Sequence, residues 1–218
     1  MSLKIFTILF TILTFTPSVM NKSIKILGLH GKGGSGTQFK NLLQPLIHNT
    51  RELNVNWLFP DAPYDHNTDK RIGYQWWTLP PNVRSFDADI YGGVDKSLSI
   101  IKKEFPVDVI IGHSQGAMLA TILLANNFDN YPKAAIISGV AWPKPYSNVL
   151  SALSENKKIN DLKSLFVIGE NDQVNPPRDA HKICCLFKGE ELIHNLGHTL
   201  PMTDYYVEKY KKFFLQIL

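Results

Sequence analysis

Val107-Asp108-Val109-Ile110-Ile111-Gly112-His113-Ser114-Gln115-Gly116-Ala117-Met118-Leu119-Ala120-Thr121-Ile122-Leu123-Leu124 joins an apolar, β-forming run to an apolar, helix-forming run through Gly-x-Ser-x-Gly. Strand, tight turn and helix in that order form the setting of a nucleophile elbow. The glycines have a steric reason. A serine at the apex of a turn between a buried strand and a helix leaves no room for Cβ atoms on either side. The same turn aims Oγ away from the sheet and sets a backbone N–H at the start of the helix, beside any carbonyl the hydroxyl attacks.

Around this motif lies a chain of 218 residues, 44% hydrophobic and 19% charged, which suits one α/β domain with a sizeable core. The formal net charge of +4 comes from scattered lysines and arginines, and Lys209, Lys211 and Lys212 read as the solvated face of a terminal helix. No nucleic-acid footprint follows from that pattern. Cys184 and Cys185 are adjacent, so no disulfide framework is expected. The seven histidines lack ligand spacing to the cysteines or to one another, and no metal site is expected.

Met1-Ser2-Leu3-Lys4 followed by the apolar Ile5 to Phe15 resembles the n- and h-regions of a signal peptide. It is short for a bilayer span, so no integral membrane segment is expected. Met20 stands just before the first core strand and is a second candidate start. Residues 1–20 are therefore set apart as a signal-like extension and residues 21–218 as the domain. The expected compartment is the cytoplasm, with the secretory pathway as the alternative if the extension acts as a signal. No oligomeric state is legible.

Ile24 to Leu29, Val55 to Phe59, Ala134 to Ser138, Leu165 to Gly169 and Glu191 to Ile193 read as further strands. Phe39, Leu42, Leu43, Leu46 and Ile47 repeat at helical spacing, with Pro45 expected to kink or break that helix. Asp87 or Asp89 is expected to cap a helix with the stripe Ile90, Val94, Leu98 and Ile101. A helix starts near Pro176-Pro177, and a last one carries Tyr206, Tyr210, Phe213, Phe214 and Ile217 on one face. Alternating strands and helices imply a mostly parallel sheet covered on both faces. Residues 64–86 lack periodicity, and so long an irregular segment in a compact domain is more often functional than idle.

A serine hydroxyl needs a base, and the base an orienting acid. Downstream of Ser114, Asp172 and His198 each lie just past a strand, in the chain order Ser, Asp, His. Glu170 is the rival acid, nearer the strand end. His194 lies within a strand, His181 sits on a helix with nothing to pair with, and His113 is a packing or hydrogen-bonding neighbour of the serine. The loop His30-Gly31-Lys32-Gly33-Gly34-Ser35-Gly36 lacks the fingerprints of phosphate-binding loops. It reads instead as an oxyanion loop, with the N–H of Lys32 or its neighbour joining that of Gln115. Tyr74, Trp76 and Trp77 are candidates for an apolar substrate wall, with ordinary core as the alternative.

Lys25-Ile26-Leu27-Gly28-Leu29-His30-Gly31, Asp61-Ala62-Pro63, Trp76-Trp77 and Gly112-His113-Ser114-Gln115-Gly116-Ala117 together resemble the family of serine hydrolases, a group of small α/β-hydrolases. The likeness runs from Ile24 to about Pro201. It implies an α/β-hydrolase fold, a Ser114–Asp172–His198 triad, and cofactor-free cleavage of small-molecule carboxylic esters or thioesters through an acyl-enzyme. The histidine motif reads Gly197-His198-Thr199-Leu200-Pro201 where a second histidine and a valine are more usual, and the segment after Trp77 is short. Both departures bear on substrate preference. Two other functions remain open: a non-catalytic protein of this fold that binds a small apolar ligand, and a lipase or peptidase using the same triad.

Overall fold

The computed structural model describes residues 23–68, 72–126, 131–155 and 157–216. The expectations for residues 1–20 and Ile217 fall outside them. In chain order the strands are β1 (Ile24–Leu29), β2 (Val55–Leu58), β3 (Tyr64–Asp65), β4 (Tyr74–Gln75), β5 (Val109–His113), β6 (Ala134–Ser138), β7 (Lys163–Gly169) and β8 (Glu190–His194). The α-helices are α1 (Gly36–Leu42), α2 (Gln44–Asn49), α3 (Val94–Lys103), α4 (Gln115–Ala125), α5 (Ser147–Ser151), α6 (Pro177–Phe187) and α7 (Asp204–Leu215).

Among the described residues, six strands form one parallel sheet in the order β2-β1-β5-β6-β7-β8, and β3 pairs antiparallel with β4 apart from it. Alternate residues of the central strands feed two cores. Leu27, Ile110, Ile137 and Phe166 face α3, α4, α5 and α6, while Ile26, Ile111, Ile136 and Val167 face α1, α2 and α7. Every residue of β6 is buried, as expected of a central parallel strand covered on both sides. Every residue of α4 is buried too, which is why it reads as apolar all round rather than as a stripe.

Pro45 splits the expected helix into α1 and α2, because proline cannot donate in a helix interior but is tolerated in a first turn. One helix start differs from expectation. α3 begins at Val94 after Gly93, neither Asp87 nor Asp89 caps it, and Ile90 is 75% exposed. The cause is pairing across the chain: Gly92 exchanges backbone hydrogen bonds with Thr78 at 3.0 and 3.1 Å, so this stretch is committed before the helix can start.

From β1 the chain moves outward to β2, then returns to place β5 on the other flank of β1. At such a reversal the connections leave the two strand ends in opposite directions and open a crevice, where open α/β sheets bind ligands. Ser114 follows β5 and the His30–Ser35 loop follows β1, so both stand at that crevice.

Candidate active site

Ser114 has φ 55° and ψ −120°, a conformation a non-glycine residue adopts at a cost of about 1–3 kcal/mol. Its surroundings hold it there. The Ser114 N–H donates to the Ser138 carbonyl at 2.9 Å, and the Met118 N–H donates to the Ser114 carbonyl at 3.0 Å. A Cβ on Gly112 would stand 2.7 Å from Ala117 Cα, and one on Gly116 would stand 2.2 Å from the Leu29 carbonyl oxygen. Both motif glycines are therefore steric requirements of packing α4 against the ends of β1 and β5. The buried Gln115 amide accepts from the Trp76 N–H at 2.7 Å and donates to the Trp77 carbonyl at 3.2 Å.

Two further loops close on the hydroxyl. Nε2 of His198, after β8, lies 2.8 Å from Ser114 Oγ, and its Nδ1 lies 2.6 Å from Asp172 Oδ2, after β7. The other Asp172 oxygen, Oδ1, accepts from the N–H groups of Val174 at 2.8 Å and Asn175 at 2.9 Å. The carboxylate thus shapes its own turn and also meets the histidine. Burial would raise the Asp172 carboxyl pKa, but the hydrogen bonds from His198, Asn175 and Val174 and the charge of His198 bring it below its ordinary value. A charged acceptor keeps the imidazole proton on Nδ1 and leaves Nε2 free to accept from the serine. Gly139 (φ 56°) lets the ring approach, since a Cβ there would lie 2.9 Å from His198 Cε1.

The neighbouring groups take other roles. Glu170 is exposed, and its N–H pairs with the His194 carbonyl at 2.9 Å. His194 is buried at the end of β8, with Nδ1 accepting from the Leu196 N–H at 3.2 Å. His113 packs its ring 4.9 Å from that of His198, and burial and the His198 charge push its pKa down to about 3. It stays neutral beside the base. His181, expected to have no partner, pairs instead with Glu191 at 2.9 Å, because α6 packs along β8.

The loop after β1 is held from several sides. His30 Nδ1 lies 2.8 Å from the Gly31 carbonyl, its Nε2 accepts from the Ala62 N–H at 3.0 Å, and burial lowers its pKa. Trp76 Nε1 donates to the His30 carbonyl at 2.8 Å, the Gly33 N–H donates to the Tyr74 carbonyl at 2.7 Å, and Asp61 Oδ1 accepts from the Gly36 N–H at 2.7 Å. The Asp-Ala-Pro turn and the aromatic segment are thus scaffolding for this loop. They press it onto the elbow so closely that a Cβ on Gly31 would stand 3.1 Å from Ser114 Cβ. Gln115 opens α4, where the first N–H groups have no intrahelical acceptor.

The aromatic-wall expectation is corrected here. Trp76 and Trp77 are 0% exposed in the core, Trp77 stacks on Tyr91 at 4.3 Å, and Tyr74 packs half-buried against the same cluster. None of the three lines the cavity of about 320 Å³ beside Ser114. Its apolar walls are Leu79, Val83, Met118 and Val174, and Lys32 and Arg84 also line it. A second cavity of about 300 Å³, walled by Phe39 and Leu42, reaches Ser114 and His198 from the other side. Leu79, Val83 and Arg84 were missed in the sequence because they lie in the irregular stretch, where no period marks which side chains turn inward. Among the described residues, no group of three or more His, Cys, Asp or Glu could hold a metal ion, and no helix is long and apolar enough to cross a membrane.

The family model described as serine hydrolase (FSH1) matches residues 20–210. Esterase OVCA2 of Xenopus tropicalis is 25% identical over 209 residues, covering 86% of this chain and 91% of that protein. Esterase C25G4.2 of Caenorhabditis elegans is 24% identical over 205 residues, covering 85% and 90%. In structure, the chain is similar to a variant of Arabidopsis thaliana SOBER1, with a TM-score of 0.68 at 20% identity over 89% of this chain and 99% of that one. The similarity in structure shows an α/β-hydrolase fold.

Proposed function

Because this chain belongs to the serine hydrolase (FSH1) family, we propose that it cleaves carboxylic esters or thioesters by acyl transfer through Ser114. One observation carries the reading: an unbroken hydrogen-bonded line from Ser114 Oγ through His198 to Asp172, with spacings of 2.8 and 2.6 Å. Ser114 Oγ attacks the acyl carbon as its proton passes to His198 Nε2, and the Asp172 carboxylate stabilises the imidazolium that forms. The tetrahedral oxyanion is received by the backbone N–H groups of Lys32 and Gln115, fixed donors that need no reorganisation as charge develops. Collapse returns the proton from His198 to the leaving alcohol or thiol and leaves an acyl ester on Ser114. Water, giving its proton to His198, attacks that ester, and the carboxylic acid departs as Ser114 recovers its proton.

The test is labelling with a fluorophosphonate probe, which reacts with an activated serine. The wild type should be labelled and Ser114→Ala should not, with the same pair showing and losing turnover of a short alkyl ester and an acyl thioester. Equal labelling of both proteins would overturn the reading.

A further inference from the structure

The cavity beside Ser114 is lopsided in charge. Lys32, from the loop after β1, and Arg84, from the segment between β4 and α3, both line it, and both continue into an adjoining depression bordered by Pro81 and Asn82. Among the described residues, no Asp or Glu lines either space. Among the described residues, carboxylates pair with Lys133, Lys144, Arg178, His181, His198 and Lys211, and none pairs with Lys32 or Arg84. The acids nearest Arg84 in the chain, Asp87 and Asp89, line a separate groove, and Asp89 is taken by Lys144 at 2.6 Å. Partial burial, and then the charge of Arg84, lower the pKa of the Lys32 ammonium, as expected of two cations lining one cavity.

Like charges set together at the mouth of a reactive cavity repel one another, and an anion between them relieves the repulsion. We propose that Lys32 and Arg84 select a substrate carrying a carboxylate or phosphate a few bonds from the carbonyl that Ser114 attacks. The inference rests on the esterase reading and adds the substrate class. The cavity volume is near the lower end of ligand pockets, which span about 300–1,000 Å³, so the anion and the reacting carbonyl lie within one short chain of each other. Leu79, Val83 and Met118 supply an apolar wall for the methylenes between them. Arg84 offers a planar fork suited to either anion, and Lys32 a mobile point charge. Both side chains are exposed, so water screens them, and the expected selectivity is roughly three- to tenfold.

Two matched pairs of substrates test this and separate the two sources of the anion. On the acyl side, the 4-nitrophenyl ester of glutaric acid with its second carboxyl free is compared with the same ester methylated there. On the leaving-group side, the butyryl thioester of 3-mercaptopropionic acid is compared with that of its methyl ester. The wild type should favour the charged member of at least one pair in kcat/KM, by roughly three- to tenfold, and less so in about 0.5 M salt. Lys32→Gln and Arg84→Gln should shrink that ratio, and Arg84→Glu should invert it. Titration calorimetry on Ser114→Ala, comparing monomethyl with dimethyl glutarate, asks the same question without turnover. Hydrolysis of neutral esters with no charge preference, or a preference that Arg84→Glu leaves untouched, overturns the proposal and spares the esterase reading. Arg84-dependent binding of the monoanion without hydrolysis of any ester would do the reverse.

Discussion

Replacing Asp172 by asparagine removes one charge and nearly no volume, and the surrounding hydrogen bonds decide its effect. Oδ1 of Asp172 accepts from two backbone N–H groups, at 2.8 Å from Val174 and 2.9 Å from Asn175. Those donors fix the amide oxygen of the variant on their side. Its NH₂ must then face His198 Nδ1, which the carboxylate approaches at 2.6 Å in the native protein. A donor in that place demands an acceptor, so the imidazole proton moves to Nε2, the nitrogen 2.8 Å from Ser114 Oγ. The base then presents a proton to the serine instead of a lone pair. The same tautomer reversal in the best-studied serine triad lowers kcat by about 10⁴, equivalent to about 5.4 kcal/mol of barrier, and Asp172→Asn should lose turnover on that order. The turn itself keeps its two N–H bonds, so folding should change by only about 1–2 kcal/mol. The assay is kcat/KM on a short 4-nitrophenyl ester beside a urea melt of each protein. Glu170→Gln is the control, since Glu170 is exposed and Asp172 already occupies Nδ1 of His198. If Asp172→Asn stays within about tenfold of wild type, or if Glu170→Gln is the crippling change, the assigned acid is wrong.

Gly116→Ala should destabilise the protein by about 1–3 kcal/mol or more, because its new Cβ would lie 2.2 Å from the Leu29 carbonyl oxygen and 2.6 Å from that of His30, both rigid backbone. An unchanged midpoint of urea unfolding would show that α4 does not pack against β1 as described. Acid should begin to destabilise the protein before its carboxylates titrate, because burial holds the folded pKa values of His30, His113 and His194 below their ordinary value. Their unfolded forms take up protons first, so their stabilising share is whole above about pH 6.5 and drains away as pH falls from there toward the folded values. The slope is at most about 1.4 kcal/mol per pH unit for each histidine. Urea melts between about pH 7.5 and about pH 5 should show this decline, shallower in His113→Gln; a flat profile would refute it.

Much of the architecture was legible because it rests on local pattern. Apolar runs too short for helices marked β1, β5, β6 and β7, and Pro45 and Pro177 marked a helix break and a helix start. The start of α3 was not legible, because the pairing of Thr78 with Gly92 is a contact across the chain and outweighs the local propensity of the stretch from Asp87 to Gly93. The tryptophan pair shows the same limit. Its aromatic character was plain, but whether it faced the substrate or the core depended on where residues 64–86 run.

Local pattern alone carries the elbow, the alternation of strands and helices, and the order in which Ser114, Asp172 and His198 follow their strands. Those features depend on backbone sterics and on burial at periods of two and 3.6 residues, which any single segment carries. Long-range packing settles which acid meets His198, how the His30–Ser35 loop is pressed onto the elbow, and that Lys32 and Arg84 line one cavity. Each of those depends on the distance between side chains far apart in the chain, such as the 26 residues between Asp172 and His198 or the 84 between Ser114 and His198. Such distances are set by the register of the six-stranded sheet and the packing of helices on its two faces, which no local stretch of sequence contains.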